Sequence, residues 1–294
     1  MRVLLTGAGG FSGPHLIRHL LDAGHQVLAF AGRNHAGSLP VELRSSPCLT
    51  MLVGDLAENV AFPQDVEAVI HTAAISPGPG LGPTVMDFVR NNIQTTQRLI
   101  LWGRSVGVKK FIYFSSISAF GCVAGPVLDE SCPCINPDAY GVSKWMGELM
   151  LAEQDEEMAS VSLRLPGVIG PAAVRNWLAT MAALAKKGRE IAYFNGDADY
   201  NNAVHIDDLC RLVVNVLGQD LRGHDMITLG AAGAMKVRDM VTAIAVGLGG
   251  HSPLREIPAP RPAFTISNAR AQRLYEYRPM AMPAMLARFV TENK

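Results

Sequence analysis

Apolar residues along the chain come in short blocks, and most blocks are followed by a stretch with helical spacing. Val3-Leu4-Leu5 fill Arg2–Thr6, the pattern of a short buried strand. The amphipathic run His15–Ala23 then stops at Gly24, which predicts a helix and its C-terminal break. Further apolar blocks at Gln26–Ala31, Thr50–Val53, Ala68–His71 and Lys109–Ser115 predict four more strands. A long helical pattern over Thr84–Val106 separates the last two. Strands that alternate with helices predict an α/β fold with a doubly wound parallel sheet and right-handed crossovers.

The second half is leaner. Helical spacing covers Asn176–Lys187, Asp207–Leu217, Val237–Leu248 and Met282–Thr291, and strand-like runs cover Ile191–Phe194 and Met226–Leu229. Ser76–Pro83 and Cys122–Pro137 are loops, and the proline-rich His251–Pro262 reads as a linker or lid edge. The expected division is a dinucleotide-binding domain over 1–165 and a small α/β substrate lobe over 166–294. Part of that lobe, about 195–230, is expected to return to the sheet.

Composition narrows the functions. Among 294 residues, Lys+Arg and Asp+Glu balance at 26 each, so no basic footprint points to nucleic acid. No apolar run reaches the roughly 18–20 residues of a membrane span. The opening Met-Arg-Val-Leu-Leu-Thr-Gly holds too short an apolar run for a signal peptide, which places the expectation in the cytoplasm. The five cysteines are unpatterned. Cys132-Pro-Cys134 has no second Cys/His pair after it, so reduced thiols and no metal site are expected.

Candidate chemistry gathers at the predicted strand ends. The first strand runs into Gly7-Ala8-Gly9-Gly10-Phe11-Ser12-Gly13, a glycine turn opening a helix. Such a turn lets backbone N–H groups approach a pyrophosphate, with the helix N-terminus adding partial positive charge. The second strand ends without the acid that often holds a ribose 2′-hydroxyl, and Arg33 stands nearby. That favours NADP over NAD, since an arginine accommodates a 2′-phosphate. Asp55, before Leu56, is placed to contact adenine or cap a turn. Ala73 and Ala74 are small enough for a cofactor to cross the fourth strand's end. The fifth strand ends in Ser115-Ser116. Beyond the next loop, Tyr140 and Lys144 lie one helical turn apart on one face. An ammonium beside a phenol favours the phenolate, lowering a pKa that starts near ~10.

In this order the motifs resemble the extended short-chain dehydrogenase/reductase family, the branch of sugar-nucleotide epimerases, dehydratases and reductases. They are Gly7-x-x-Gly10-x-x-Gly13, Gly54-Asp55-Leu56, His71-x-Ala73-Ala74, Asn92 with Thr95 or Thr96, Ser116 before Phe120-Gly121, and Tyr140-x-x-Ser143-Lys144-x-x-x-Glu148. Leu163-Arg164-x-Pro166-Gly-Val-Ile-Gly170-Pro171 and His205-Ile-Asp207-Asp208-Leu209 follow. The resemblance implies a Rossmann-like fold, with Ser116, Tyr140 and Lys144 catalytic. It also implies a cofactor site of Gly7, Gly10, Phe11, Ser12, Gly13, Arg33, Asp55, Leu56, Ala73, Ala74, Asn92, Ser115, Tyr140, Lys144 and Pro166. Tyr140 would be the acid/base, Lys144 would bind the nicotinamide ribose, and Ser116, five residues before Gly121, would hold the reacting oxygen. A homodimer through the helices at 84–106 and 138–156 is implied as well.

Two departures bear on the substrate. Family dehydratases carry Asp-Glu directly after the catalytic Ser/Thr, and here Ile117-Ser118 stand there. Nucleotide-sugar members carry an arginine a little ahead of the paired aspartates, where it grips the substrate diphosphate bidentately. Here that place is Asn201; Arg175, Lys186, Lys187 or Arg238 would have to serve instead. Three readings follow: a nucleotide-sugar epimerase or 4-keto reductase, an NADPH-dependent carbonyl reductase whose substrate lacks a diphosphate, or a dinucleotide sensor that kept the fold. The intact Ser116, Tyr140 and Lys144 speak against the sensor. His205 and Asp207 read as a packed histidine and a helix cap. Trp102, Trp145 and Trp177 read as packing, with Trp177 the candidate for a pocket wall.

Overall fold

The computed structural model describes residues 1–35, 37–58, 60–78, 82–154, 157–174 and 176–294. The loop expected over 76–83 lies partly outside them, and Arg175 wholly so. Two compact units are present. The first comprises Met1–Gly121, Asn136–Arg164 and Cys210–Ile227, and the second Cys122–Ile135, Leu165–Leu209 and Thr228–Lys294.

Seven strands make one sheet: β1 (Arg2–Thr6), β2 (Gln26–Gly32), β3 (Leu49–Gly54), β4 (Ala68–His71), β5 (Lys110–Ser116), β6 (Ala159–Leu165) and β7 (His224–Thr228). Their spatial order is β7-β6-β5-β4-β1-β2-β3. The pairings from β3 through β2, β1 and β4 to β5 are parallel, with Leu4 beside Leu28 and Val69. Buried apolar runs, Val3–Leu5 and Val27–Ala31 among them, are what a parallel sheet covered on both faces requires. The order reverses between β1 and β4, the switch point where such sheets bind ligands beyond the strands' carboxyl ends. Strand β6 was not anticipated, although Ala159-Ser-Val-Ser-Leu-Arg-Leu165 alternates with period two.

Helix α1 (Ser12–Asp22) joins β1 to β2 and buries Leu16, Ile17 and Leu20. The expected helix over 84–106 comes in three pieces. A capping box between Thr84 and Asp87 starts an α-turn at Val85–Phe88, a π-helix follows at Val89–Gln94, and α2 (Thr95–Ser105) completes it. The wide π-turn admits one extra residue and aims Asn92 inward, 1% exposed. Helix α3 (Ala139–Ala152) is capped by Asp138, whose carboxylate accepts the Gly141 N–H at 2.7 Å.

The second unit is built from two-stranded pieces and helices. Gly167–Ile169 pairs with Ala203–His205, and Ile191–Tyr193 with Leu254–Glu256, both in parallel. Helices α4 (Trp177–Lys186), α6 (Val237–Leu248) and α7 (Met282–Glu292) pack with α6 in the middle. Asn176, expected inside α4, is its N-cap. Helix α5 (Ile206–Gly218) crosses from the second unit into the first. Among the described residues no helix is long and apolar enough to cross a membrane.

Candidate active site

The glycine turn is built as a cradle. Gly7 has φ +78°, and a Cβ there would come 2.8 Å from the Ala73 nitrogen, so the left-handed turn and the close approach of the β4 loop both demand glycine. Gly10 N–H closes on the Gly7 carbonyl at 2.9 Å and Gly13 N–H on that of Gly10 at 3.2 Å. These bonds bring Phe11 and Ser12 to the start of α1, whose first turn holds no acidic side chain. The helix dipole is therefore left for an anion. The Ala73 N–H meets the Thr6 hydroxyl at 3.4 Å, and His71 ties that hydroxyl onward at 2.7 Å on Nδ1 and to Thr96 at 2.9 Å on Nε2. Burial holds the His71 ring neutral, its pKa pushed down to about 3. The ring thus links the ends of β1 and β4 to α2.

At the β2 end, Arg33 projects from a short 3₁₀ turn and forks onto Glu58, Nη2 to Oε2 at 2.6 Å and Nη1 to Oε1 at 3.3 Å. Asp55 accepts the Ala57 N–H at 2.9 Å, capping the turn after β3, and the partly buried Leu56 packs against the core cluster that includes Phe30 and Val66. Arg98 braces the same turn by donating to the Ala57 carbonyl at 2.5 Å.

The β5 end and α3 bring the catalytic candidates together. Ser116 caps the 3₁₀ turn Ile117–Phe120, accepting the Ser118 N–H at 3.1 Å. Helix α3 presses on that turn: a Cβ at Gly141 would sit 2.8 Å from the Ser118 carbonyl carbon. This close packing sets Tyr140 beside Ser116, whose hydroxyl acts to lower the phenol pKa. Lys144 is 3% exposed, donates to the Phe114 carbonyl at 2.7 Å and lies 4.8 Å from the Tyr113 ring centre. Burial pushes its pKa down to about 7, against the opposing pull of Glu148. The expected lowering of the Tyr140 phenol is not found. Burial outweighs the lowering pull of the nearby Ser116 hydroxyl and raises it to about 12.

Two expected cofactor contacts are committed elsewhere. The Asn92 amide donates to the Ile75 carbonyl at 3.0 Å and the Ser143 hydroxyl at 2.9 Å, and its oxygen accepts the Ile75 N–H at 2.9 Å. Asn92 therefore pins the β4 loop to α3. The Ser115 hydroxyl donates to Glu148, whose carboxylate is gripped by Arg164. That buried network was not anticipated as a unit, although Glu148 stands one turn past Lys144. Pro166 lies in the second unit, between β6 and the strand Gly167–Ile169.

In the second unit, Asn201 is 5% exposed and fully engaged. It donates to the Ala231 and Ile266 carbonyls at 3.2 and 2.8 Å and accepts the Ile266 N–H at 2.7 Å. It staples three segments and has no donor to spare. Arg238 is paired with Asp197 and Glu256 at 3.0 and 3.1 Å, while Lys186 and Lys187 are exposed. Asp207 is not the α5 cap; it lies in the first turn and pairs with Arg288. The buried His205 shares a hydrogen bond with Glu292 at 3.1 Å and accepts the Asp207 N–H. Trp177 contacts Phe194 and Tyr200 in an aromatic cluster with ring separations of 5.8 and 5.5 Å. The cysteines are free thiols, and no metal-holding cluster occurs among the described residues.

A glycine cradle at a helix start, at the switch point of a doubly wound sheet, defines a dinucleotide-binding α/β protein. The model of the NAD dependent epimerase/dehydratase family matches residues 3–230, and the chain belongs to that family. It is an NAD-dependent enzyme of the extended short-chain dehydrogenase type. A UDP-glucose 4-epimerase from Erwinia amylovora is 26% identical over 282 residues, covering 85% of this chain and 84% of that protein. A 3-beta-hydroxysteroid dehydrogenase from Mycolicibacterium neoaurum is 33% identical over 184 residues, covering 58% of this chain and 48% of the relative, about half its length. Among solved structures, the UDP-glucuronic acid 4-epimerase from Bacillus cereus in complex with NAD superposes with a TM-score of 0.83. Its identity is 22%, with 100% of this chain and 98% of that chain covered.

Proposed function

We propose that the chain catalyses NAD-dependent oxidoreduction at a carbinol or ketone carbon of a nucleotide-linked sugar, as an epimerase or a 4-keto reductase. The observation that carries the chemistry is the placement of Tyr140 beside Ser116, held there by the close packing of Gly141 on Ser118, with Lys144 one helical turn on. Ser116 orients the substrate oxygen, and Tyr140 gives or takes its proton. With its pKa near 12 the phenol is a proton donor as it stands, ready for the reductive direction. Removing a proton calls on the Lys144 ammonium to offset the phenolate charge. Gly7, Gly10 and Gly13, with the N–H groups at the start of α1, fit the pyrophosphate of a dinucleotide, and Lys144 fits its nicotinamide ribose. NAD, when bound, supplies the hydride exchange at the same carbon. Tyr140→Phe should lower turnover of UDP-glucose or UDP-glucuronic acid by roughly 10³-fold and leave the NAD dissociation constant within a few-fold. Full turnover in that variant would sink the proton-transfer reading.

The nucleotide-sugar part is supported by relatives and structural neighbours that carry UDP-sugar names. Asn201 favours a second reading, a carbonyl or hydroxyl substrate without a diphosphate, because the place expected of the gripping cation holds a buried, fully bonded amide. Melting curves with UDP, GDP, CDP and dTDP separate the two. A nucleotide at a hundred times its dissociation constant adds about 2.7 kcal/mol, and no shift with any of the four selects the second reading.

For the cofactor we place NAD ahead of NADP, because Glu58 already occupies the Arg33 fork meant for a 2′-phosphate. We also propose a homodimer. Met86 and Leu101, on the helical segments over 85–105, and Val142 and Leu149, on α3, are apolar and exposed. These are the helices through which a second copy is expected to dock, and light scattering would read the dimer mass.

A further inference from the structure

The proton-transfer reading leaves one buried charged pair unused. Glu148 and Arg164 are 4% and 3% exposed. The guanidinium grips the carboxylate with Nε to Oε1 at 2.9 Å and Nη2 to Oε2 at 2.6 Å. Ser115, the residue before Ser116, donates its hydroxyl to the same carboxylate. On the other side the guanidinium lies 4.1 Å from the Phe120 ring centre, in the turn that follows Ser116. One ion pair thus clamps the chain on both sides of Ser116. Glu148 also sits on α3 one turn beyond Lys144, on the same face.

We propose that Glu148 is a positioning residue for the Ser116–Tyr140–Lys144 apparatus: Arg164 locks its carboxylate, and its negative charge sustains the Lys144 ammonium from one helical turn away. The inference rests on the proton-transfer reading of those three residues.

Among the described residues, the histidines and tyrosines around the pair are held neutral near pH 7, and Asp225 faces His224. Burial lowers His71 on β4 and His224 on β7, and it raises Tyr113 on β5 and Tyr140 on α3. Asp138 faces Tyr140 from the α3 cap. The charge that acts on the buried amine is that of Glu148, which raises the Lys144 pKa against burial. With that pKa at about 7, the amine stands at its midpoint near neutral pH. A modest loss of support empties the ammonium form, and with it the cation that makes a phenolate accessible.

The test is a pH titration of the Lys144 ε-carbon by NMR on the NAD-loaded enzyme with ε-¹³C-labelled lysine, the resonance being assigned from Lys144→Met. Glu148→Gln alone strands a buried guanidinium, so the deciding variant is Glu148→Gln with Arg164→Met, which removes both charges. The expected result is a Lys144 midpoint lowered by about one pH unit relative to wild type. An unchanged or raised midpoint overturns the proposal and leaves the pair as packing. If the double variant does not fold, Glu148→Asp with Arg164 retained reads the same quantity. There the expected drop is about half a unit, and no drop overturns the proposal. Turnover by Tyr140→Phe tests the underlying reading separately, since an unmoved Lys144 titration leaves that result untouched.

Discussion

Two ends of the same sheet carry ion pairs of similar geometry in opposite surroundings. Past β5, Glu148 and Arg164 sit almost wholly out of water, tied to Ser115 and stacked on Phe120. Past β2 and β3, Arg33 and Glu58 make an equally short fork, 2.6 Å, with side chains 65% and 47% exposed. The difference lies in the reference state. At the exposed pair each ion exchanges a partner for water at little cost, so breaking it changes stability by about 0–1 kcal/mol. At the buried pair the remaining ion has no water to turn to, so removing one partner costs about 3–5 kcal/mol. One pair holds the β5 end and the turn after it in place, and the other can only bias what approaches.

That contrast is broken most directly at Arg164. Arg164→Ala is expected to lose about 3–5 kcal/mol, because it strands the Glu148 carboxylate and opens space beside Phe120. Arg33→Ala is expected to stay within about 1 kcal/mol of wild type. Urea midpoints for the two variants decide it. If they fall together, burial is not what separates the pairs.

The pH dependence of stability sharpens the same point at Lys144. Burial holds its pKa near 7, far below its ordinary value of 10.5. Between those values the unfolded chain binds more protons than the folded one, so this group's contribution to stability rises with pH. It is complete above the unfolded value and lost as pH falls toward 7. Wild type should therefore gain roughly 2 kcal/mol over Lys144→Met between about pH 7 and about pH 9. Parallel curves would mean that the amine meets solvent in the native state.

Sequence pattern carried the sheet well, along with the grouping of Ser116, Tyr140 and Lys144 at one strand end, for physical reasons. Strands buried on both faces read as apolar runs, and a glycine that must adopt φ +78° beside Ala73 leaves its mark in the chain. Strand β6 escaped because Ser160, Ser162 and Arg164 alternate through it, a pattern that usually marks an exposed face. Here all seven of its residues are buried. The π-turn at Asn92 left no periodic signal, because it depends on one extra residue fixed by bonds to Ile75 and Ser143. The partners of Arg33 and Asn201 were equally illegible. A side chain's availability is set by what lies across from it, and neither Glu58 nor Ile266 is near in sequence.

The smallest expected effect is also the one that bears on cofactor choice. Arg33 was read as a seat for a 2′-phosphate, but its two terminal nitrogens already face Glu58. A dianionic phosphate arriving there would have to displace a carboxylate and then lie beside it, whereas a ribose hydroxyl would meet no such repulsion. Glu58→Gln removes the negative charge and keeps the length of the side chain. The NADP dissociation constant is then expected to fall by roughly 3–10-fold, at most about 1.4 kcal/mol for an exposed site, with that for NAD nearly unchanged. Arg33→Ala in the Glu58→Gln background should return NADP to its starting value. Calorimetric titration of both dinucleotides into the three proteins makes the comparison. If Glu58→Gln leaves NADP binding where it was, the exposed pair has no hold on the cofactor, and the contrast between the two ends of the sheet reduces to stability alone.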